Sequence, residues 1–431
     1  MPDAVVETGA IPIPAASRSP RGSFVLVLLA TAVVGVAGYV ITWLVPRITG
    51  VEDYAVFAVF WSFVFLLVAG LSGIQQEITR ATRLAETTAA GTRHRAARFG
   101  LVSAALVFVV VVASAPFWVG SVFPEGGYDL VWPLACGGAA FVLLAVLTGT
   151  LYGISSWGVL FWVILTEGVL RLALIGVALM FTHDPVVLGW AIVIPFGATI
   201  AIIWPAARGS IAGRTDLDVG YRALTWNVAR TVVAATAMGV LVSGFPLILK
   251  LTSPDADPAE LGLLILATTL VRAPLIVVGM AMQSYLVVLF RNNLARFWRI
   301  LLALEGLVIA AGALLALLGW LFGPAVFEVL FPGEPVPSGA LIAVLAASSA
   351  LVGALCVTAP AVLSRARHSI FTAGWVTAAL ATVACLLLPI GLEARTMLAL
   401  LVGPAAGLTV HVVFLAFSRE RIDTAEGDRL L

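Results

Sequence analysis

Charge is what this sequence has least of: 11% of its 431 residues are Asp, Glu, Lys or Arg, against about 25% in an ordinary soluble domain. With 61% hydrophobic residues, it has too little polar surface to face water on every side, and a soluble globule is excluded. Lysine is nearly absent. Of the 24 basic residues only Lys250 is not arginine, and with no Gly-x-x-x-x-Gly-Lys stretch the chain has no phosphate loop to power it. Cys136, Cys356 and Cys385 lie in apolar runs without paired spacing, so neither a disulfide framework nor a metal site is indicated. His-Glu-x-x-His, Cys-x-x-Cys and Gly-x-Ser-x-Gly are missing too. Zinc and serine hydrolase chemistry have no anchor, and no cofactor is called for.

Long apolar runs are abundant instead. A helix needs roughly 20 apolar residues to cross about 30 Å of hydrocarbon, and twelve runs qualify: 23–45, 54–75, 98–119, 130–151, 159–181, 186–206, 228–249, 261–289, 300–321, 339–362, 371–391 and 394–416. They are continuous and far longer than the alternating strands of about ten residues in a membrane barrel. The expected fold is an all-α polytopic membrane protein, about 12 transmembrane helices in two pseudo-symmetric six-helix lobes around a central cleft. The division is a disordered cytoplasmic tail over 1–22, an N-lobe over 23–207, a cytoplasmic linker over 208–227, a C-lobe over 228–416 and a cytoplasmic tail over 417–431.

Arginine placement sets the expected orientation. Nineteen of the 24 basic residues fall on one set of loops and tails, including Arg80, Arg98, Arg208, Arg222, Arg291, Arg299, Arg365 and Arg367; Arg47, Lys250 and Arg395 fall on the other. The positive-inside rule then puts both termini in the cytoplasm, and a single lysine among 24 basic residues suggests a GC-rich bacterial genome, hence a bacterial inner membrane. Basic clusters such as Arg93, Arg95 and Arg98 fit anionic lipid heads, so the bilayer is the partner they imply and nucleic acid is not needed.

A repeat underlies the six-plus-six division. Moving forward by 208 positions carries Glu52 onto Glu260, Gln75 onto Gln283, Arg83 onto Arg291 and Phe123-Pro124 onto Phe331-Pro332. Polar matches at one offset indicate two fused copies, and an even number of spans per copy makes them parallel repeats. Glycine and proline in the first run (Gly35, Gly38, Pro46) and the seventh (Gly239, Gly244, Pro246) either bend these helices or let them pack closely.

An ionisable side chain at the bilayer centre costs about 2.5–3.5 kcal/mol on insertion scales, so each one needs a reason. Arg272 lies twelve residues past Glu260, about 18 Å along a helix. It reads either as a phosphate or carboxylate clamp in a central cavity or as half of an ion pair with another helix. Glu167 and Arg171, four apart on one helix face, neutralise each other or separate during transport. Glu77 is placed at the cytoplasmic boundary, in a local network with Arg80 and Arg83 or as a gate between lobes. His411 is a hydrogen-bonded structural residue or a proton carrier. Arg47 ends the first run, either meeting an anionic group or snorkelling. Glu305, early in the ninth run, is expected to reach back to Arg299 or to water.

The stretch around the first loop resembles a known family. Arg47, Gly50, Tyr54 and Phe57 match the Arg-x-x-Gly-x-x-x-Tyr-Gly-x-Phe pattern of polysaccharide flippases in the multidrug/oligosaccharidyl-lipid/polysaccharide (MOP) exporter superfamily, with Ala55 where the pattern has Gly. The resemblance in architecture runs from about 23 to 416. It implies a secondary-type flippase, not an enzyme, that exports a polyprenyl-diphosphate-linked sugar through a cationic cavity, with Arg272 holding diphosphate and H+ or Na+ available for coupling. Drug exporters of that superfamily commonly carry an acid in the first span, and 23–45 has none. A cation-coupled small-molecule exporter of the same fold and a non-transporting scaffold for envelope enzymes are the alternatives.

Overall fold

A computed structural model describes residues 20–82, 96–123, 127–211, 217, 219–365 and 367–427. The tail expected over 1–22 therefore lies, but for 20–22, outside the described residues, as do Arg83, Arg93 and Arg95. Apolar runs without internal water can satisfy their backbone only as helix, and the described chain is almost wholly helical. Its α-helices are α1 Pro20–Ala81, α2 Ala96–Val122, α3 Val131–Gly153, α4 Trp157–Leu179, α5 Pro185–Ile211, α6 Tyr221–Val242, α7 Phe245–Leu251, α8 Pro258–Asn292, α9 Phe297–Leu330, α10 Gly339–Leu363, α11 His368–Leu386 and α12 Leu392–Gly427.

Eleven helices among the described residues are long and apolar enough to cross a membrane. The first, Leu29–Ala81, has 53 such residues, roughly 80 Å of helix, enough for two passes. Gly50, with φ 81° and ψ 162°, breaks it. That conformation is open essentially to glycine alone, so one residue divides α1 into a first arm, 20–49, and a second arm, 51–81. The first and second expected runs are thus joined end to end. The first arm is unbroken through Gly35, Gly38 and Pro46, whereas the seventh run is broken at Ser243–Gly244 into α6 and α7.

Helices α1 to α5 pack on one another through α1–α3, α1–α4, α2–α3 and α4–α5, while α8 to α12 pack through α8–α10, α9–α10, α10–α12 and α11–α12, with α6 on α11. These are the two lobes. The repeat is visible in their helix ends: α2 stops at Val122 and α9 at Leu330, 208 positions apart. Likewise α8 begins at Pro258, 208 positions after the Gly50 turn.

Candidate functional site

The lobes meet along the second arm of α1, and side chains close that seam at three levels. At the acidic face Gly262 sits so close to α1 that a Cβ there would overlap the Val51 carbonyl oxygen. One turn along α1 from Val51, Tyr54 is 3% exposed. Arg47 donates from Nη1 to the Leu330 carbonyl at 2.8 Å, at the end of α9, and stacks over Trp43 at 5.5 Å. Its site is thus a helix C-terminus in the opposite lobe, where orphaned carbonyls attract a cation.

At mid-depth Ser62 repairs the break between α6 and α7. Its hydroxyl donates to the Ser243 carbonyl at 2.6 Å and accepts from the Leu247 N–H at 3.2 Å. Both partners are backbone groups that a helix break leaves without an intrahelical bond. At the arginine-rich end, Glu77 accepts from Arg80 at 2.9 Å and faces the Thr231 hydroxyl of α6 at 3.3 Å. That hydroxyl also reaches the Asn227 carbonyl at 2.9 Å, so its single proton is divided between the two. Glu77 therefore takes part in a local network and in a contact between lobes at once. Thr82 and Leu217 add an isolated bridge nearby.

Two arginines lie deep in this assembly. Arg171, on α4, is 5% exposed and ion-paired with Glu167 one turn away. Its Nε donates to the Ile192 carbonyl of α5 at 3.3 Å. Its guanidinium stands over Phe65 at 5.0 Å, Phe196 at 5.1 Å and Trp61 at 5.9 Å, so aromatic faces cover what the carboxylate does not. Every component comes from the N-lobe.

Arg272, on α8, is 3% exposed, and its Nε and Nη2 are enclosed with no hydrogen-bond partner. Its one ring neighbour among the described residues is Phe245, at 5.8 Å, the first residue of α7. No acid pairs with it among the described residues, so the ion-pair alternative finds no partner here. On the N-lobe copy, 208 positions earlier, Val64 is 2% exposed. Toward the arginine-rich end of α8, Val278, Met282 and Tyr285 are 60%, 39% and 61% exposed. Arg272 thus stands where the closed part of α8 gives way to the uncovered part.

His411 is fully buried, with Nδ1 3.2 Å from the Thr358 hydroxyl and Nε2 3.3 Å from the Phe371 carbonyl, tying α12 to α10 and α11. It lies in the C-lobe core and does not join Arg272. Glu305 is half-buried, with one carboxyl oxygen enclosed and unpartnered and no ion pair to Arg299 among the described residues. On the acidic face, Thr252, Ser253, Asp255, Asp257, Glu260 and Arg395 line a concavity of about 370 Å³. Arg395 donates from Nη1 to the Thr252 and Leu386 carbonyls and from Nη2 to Ser253, while its Nε is enclosed without a partner. No group of three metal-binding side chains occurs among the described residues.

No protein-family model matches the chain. Curated relatives span it almost completely. The uncharacterized protein Rv3630 of Mycobacterium tuberculosis is 33% identical over 426 residues, covering 97% of this chain and 99% of its own. Rv1510 of the same organism is 34% identical over 434 residues, covering 96% and 97%, and Mb3654 of Mycobacterium bovis is 33% identical over 426 residues, covering 97% and 99%. The chain belongs to this mycobacterial family.

Solved structures show the fold of the chain. An inward closed conformation of the lipid II flippase MurJ superposes with a TM-score of 0.70 at 12% identity, over 91% of this chain and 87% of that one. An inward-facing multidrug resistance MATE family transporter of the MOP superfamily gives 0.66 at 14%, over 97% and 98%. The MATE multidrug transporter DinF-BH gives 0.64 at 17%, over 94% and 96%. The fold is that of MOP superfamily transporters, and the family member described here is a multi-pass membrane protein.

Proposed function

We propose that the protein is a flippase that moves a polyprenyl-diphosphate-linked oligosaccharide or polysaccharide precursor across the bacterial inner membrane, by alternating access of its two lobes. Arg272 carries this reading. A guanidinium does not deprotonate in a protein, and an unpaired buried charge is costly. A mid-membrane arginine without a counter-charge among the described residues is best explained by an anion that arrives with the substrate. A diphosphate head supplies two negative groups and acceptor oxygens matched to the arginine fork, while the lipid tail keeps to the bilayer. Likeness in fold to a lipid II flippase supports this cargo class, and the acid-free first arm of α1 weighs against drug–cation exchange.

In this reading both termini are cytoplasmic, as the arginine distribution indicates. The closed contacts at Gly262, Tyr54 and Arg47 seal the outer end. Arg47 then guards the exit, and Glu77 with Thr231 is an inner latch that parts when α6 moves. The Glu167–Arg171 pair holds the N-lobe together, and His411 fixes three C-lobe helices.

The test is translocation in proteoliposomes. Wild-type protein should move a fluorescent undecaprenyl-diphosphate sugar, Arg272→Ala should slow it at least tenfold, or about 1.4 kcal/mol in free energy, and Arg272→Lys should restore part of the rate. A folded Arg272→Ala protein with full activity would refute the reading. Efflux of small cations with no effect of lipid-linked sugar would assign the protein to exchange of the multidrug kind.

A further inference from the structure

The C-lobe carries an arginine surface that neither Arg272 nor the lobe seam explains. Two turns at the arginine-rich face make it, 291–299 between α8 and α9 and 364–368 between α10 and α11. Both lie where apolar spans begin or end, at Leu294, Leu363 and His368, which is the level of lipid headgroups. Aromatic contacts lock the turns together. Phe297, 2% exposed, meets Phe290 of α8 at 5.2 Å. The guanidinium of Arg365, just past the end of α10, stands over Phe297 at 4.4 Å and Trp298 at 5.9 Å.

Five arginines therefore converge: Arg291, Arg296 and Arg299 from the first turn, Arg365 and Arg367 from the second. All but Arg365 are exposed. Neither turn contains an acid, and among the described residues no ion pair engages any of the five. Like charges held together in this way repel one another. The helix ends add to the field instead of offsetting it. Helix α9 starts behind Arg296 and α11 behind Arg367; neither N-cap side chain accepts from its helix, and neither first turn carries an acid. The first N–H groups of a helix amount to roughly half a positive charge, which an acid answers and a cation worsens.

The surface is local to the C-lobe. Moving back 208 positions, Arg365 and Arg367 fall on Trp157 and Val159. The positive-inside rule counts cations per loop and does not call for two turns to pool them. Beside the cations Leu294 is 68% exposed at the edge of its span, an apolar seat next to the charge.

We propose that this surface is a binding site for an anionic phospholipid with two phosphates in its headgroup. One phosphate sits at the start of α9 with Arg296 and Arg299, the other at the start of α11 with Arg365 and Arg367, and the acyl chains run past Leu294. A soluble anion would answer the charges and leave Leu294 unused. The lipid neutralises the arginines and so ties the ends of α8, α9, α10 and α11 together, whatever the cargo proves to be.

The test is native mass spectrometry of detergent-purified protein titrated with cardiolipin, which has two phosphates, or phosphatidylglycerol, which has one. Wild-type protein should retain one cardiolipin and bind it at least about tenfold more tightly than phosphatidylglycerol at equal phosphate. Arg296→Gln/Arg365→Gln/Arg367→Gln should weaken cardiolipin binding about a hundredfold, since each arginine near an anionic lipid contributes roughly fivefold. Arg208→Gln/Arg222→Gln/Arg230→Gln, the same loss of charge elsewhere, should cost less than about fivefold. Equal losses in the two triple variants would reduce the surface to diffuse attraction and overturn the proposal. Displacement of cardiolipin by an equal concentration of inorganic diphosphate would make it a soluble-anion site and overturn it too. Arg367→Gln alone, an exposed change at a helix end, decides the matter if the triple variant fails to fold: a loss of roughly fivefold supports the site, and no loss refutes it.

Discussion

Arg171 and Arg272 are buried to nearly the same degree, 5% and 3% exposed, and the protein treats them in opposite ways. Around Arg171 the N-lobe supplies a carboxylate, a carbonyl and three aromatic faces, so the charge is answered before any ligand arrives. Around Arg272 the described residues of the C-lobe supply one phenylalanine ring and leave two nitrogens without partners. A completed site is structural: its worth lies in the folded protein alone. An uncompleted one has a cost in the resting protein that something outside the chain must offset, which is how a binding site is distinguished from a strut.

The comparison breaks most visibly at Glu167. Glu167→Ala strands the Arg171 charge, and removing one partner of a buried pair costs about 3–5 kcal/mol. A sharp fall in the unfolding temperature of detergent-purified protein is expected, and the double variant Glu167→Ala/Arg171→Leu should recover most of it because neither charge is then left alone. An unchanged temperature in Glu167→Ala would show that Arg171 has other support and would erase the contrast. Arg272→Met is the mirror experiment. It removes a charge that has no partner to strand among the described residues, so stability should hold or rise, by up to about 1–4 kcal/mol on the scale seen when buried charges are replaced by apolar side chains. Flipping should fall in the same protein.

The contrast explains why some of the site is legible in the sequence and some is not. Glu167 and Arg171 are readable as a pair because four residues is about one helical turn, a local fact. The helix positions and the 208-residue register are readable for a related reason: bilayer thickness fixes run length, and the loops that end the runs are polar. The emptiness around Arg272 depends on what the other helices fail to bring, and no local pattern encodes an absence. Glu305 is only partly readable for the same cause: its nearness to Arg299 along the chain suggests a partner, whereas one of its carboxyl oxygens is enclosed without one. By hydropathy the Gly50 turn is a loop; only its backbone conformation joins the first two passes into one broken helix.

The finest test lies in the rings. Phe196→Leu removes one of three faces from Arg171, and since a cation–π contact contributes about 0.5–2 kcal/mol, a loss in that range is expected in thermal unfolding, with transport little changed. Phe245→Leu removes the one face that Arg272 has among the described residues. Because that arginine has so little other support, its stabilisation in the resting protein is already small, and the stability loss should come from packing alone. Transport should suffer instead, since Phe245 is the wall against which a bound anion would be held over Arg272. If the two substitutions changed stability and transport in the same proportion, Arg171 and Arg272 would be two structural arginines after all, and the anionic cargo would have to find its partner elsewhere in the seam.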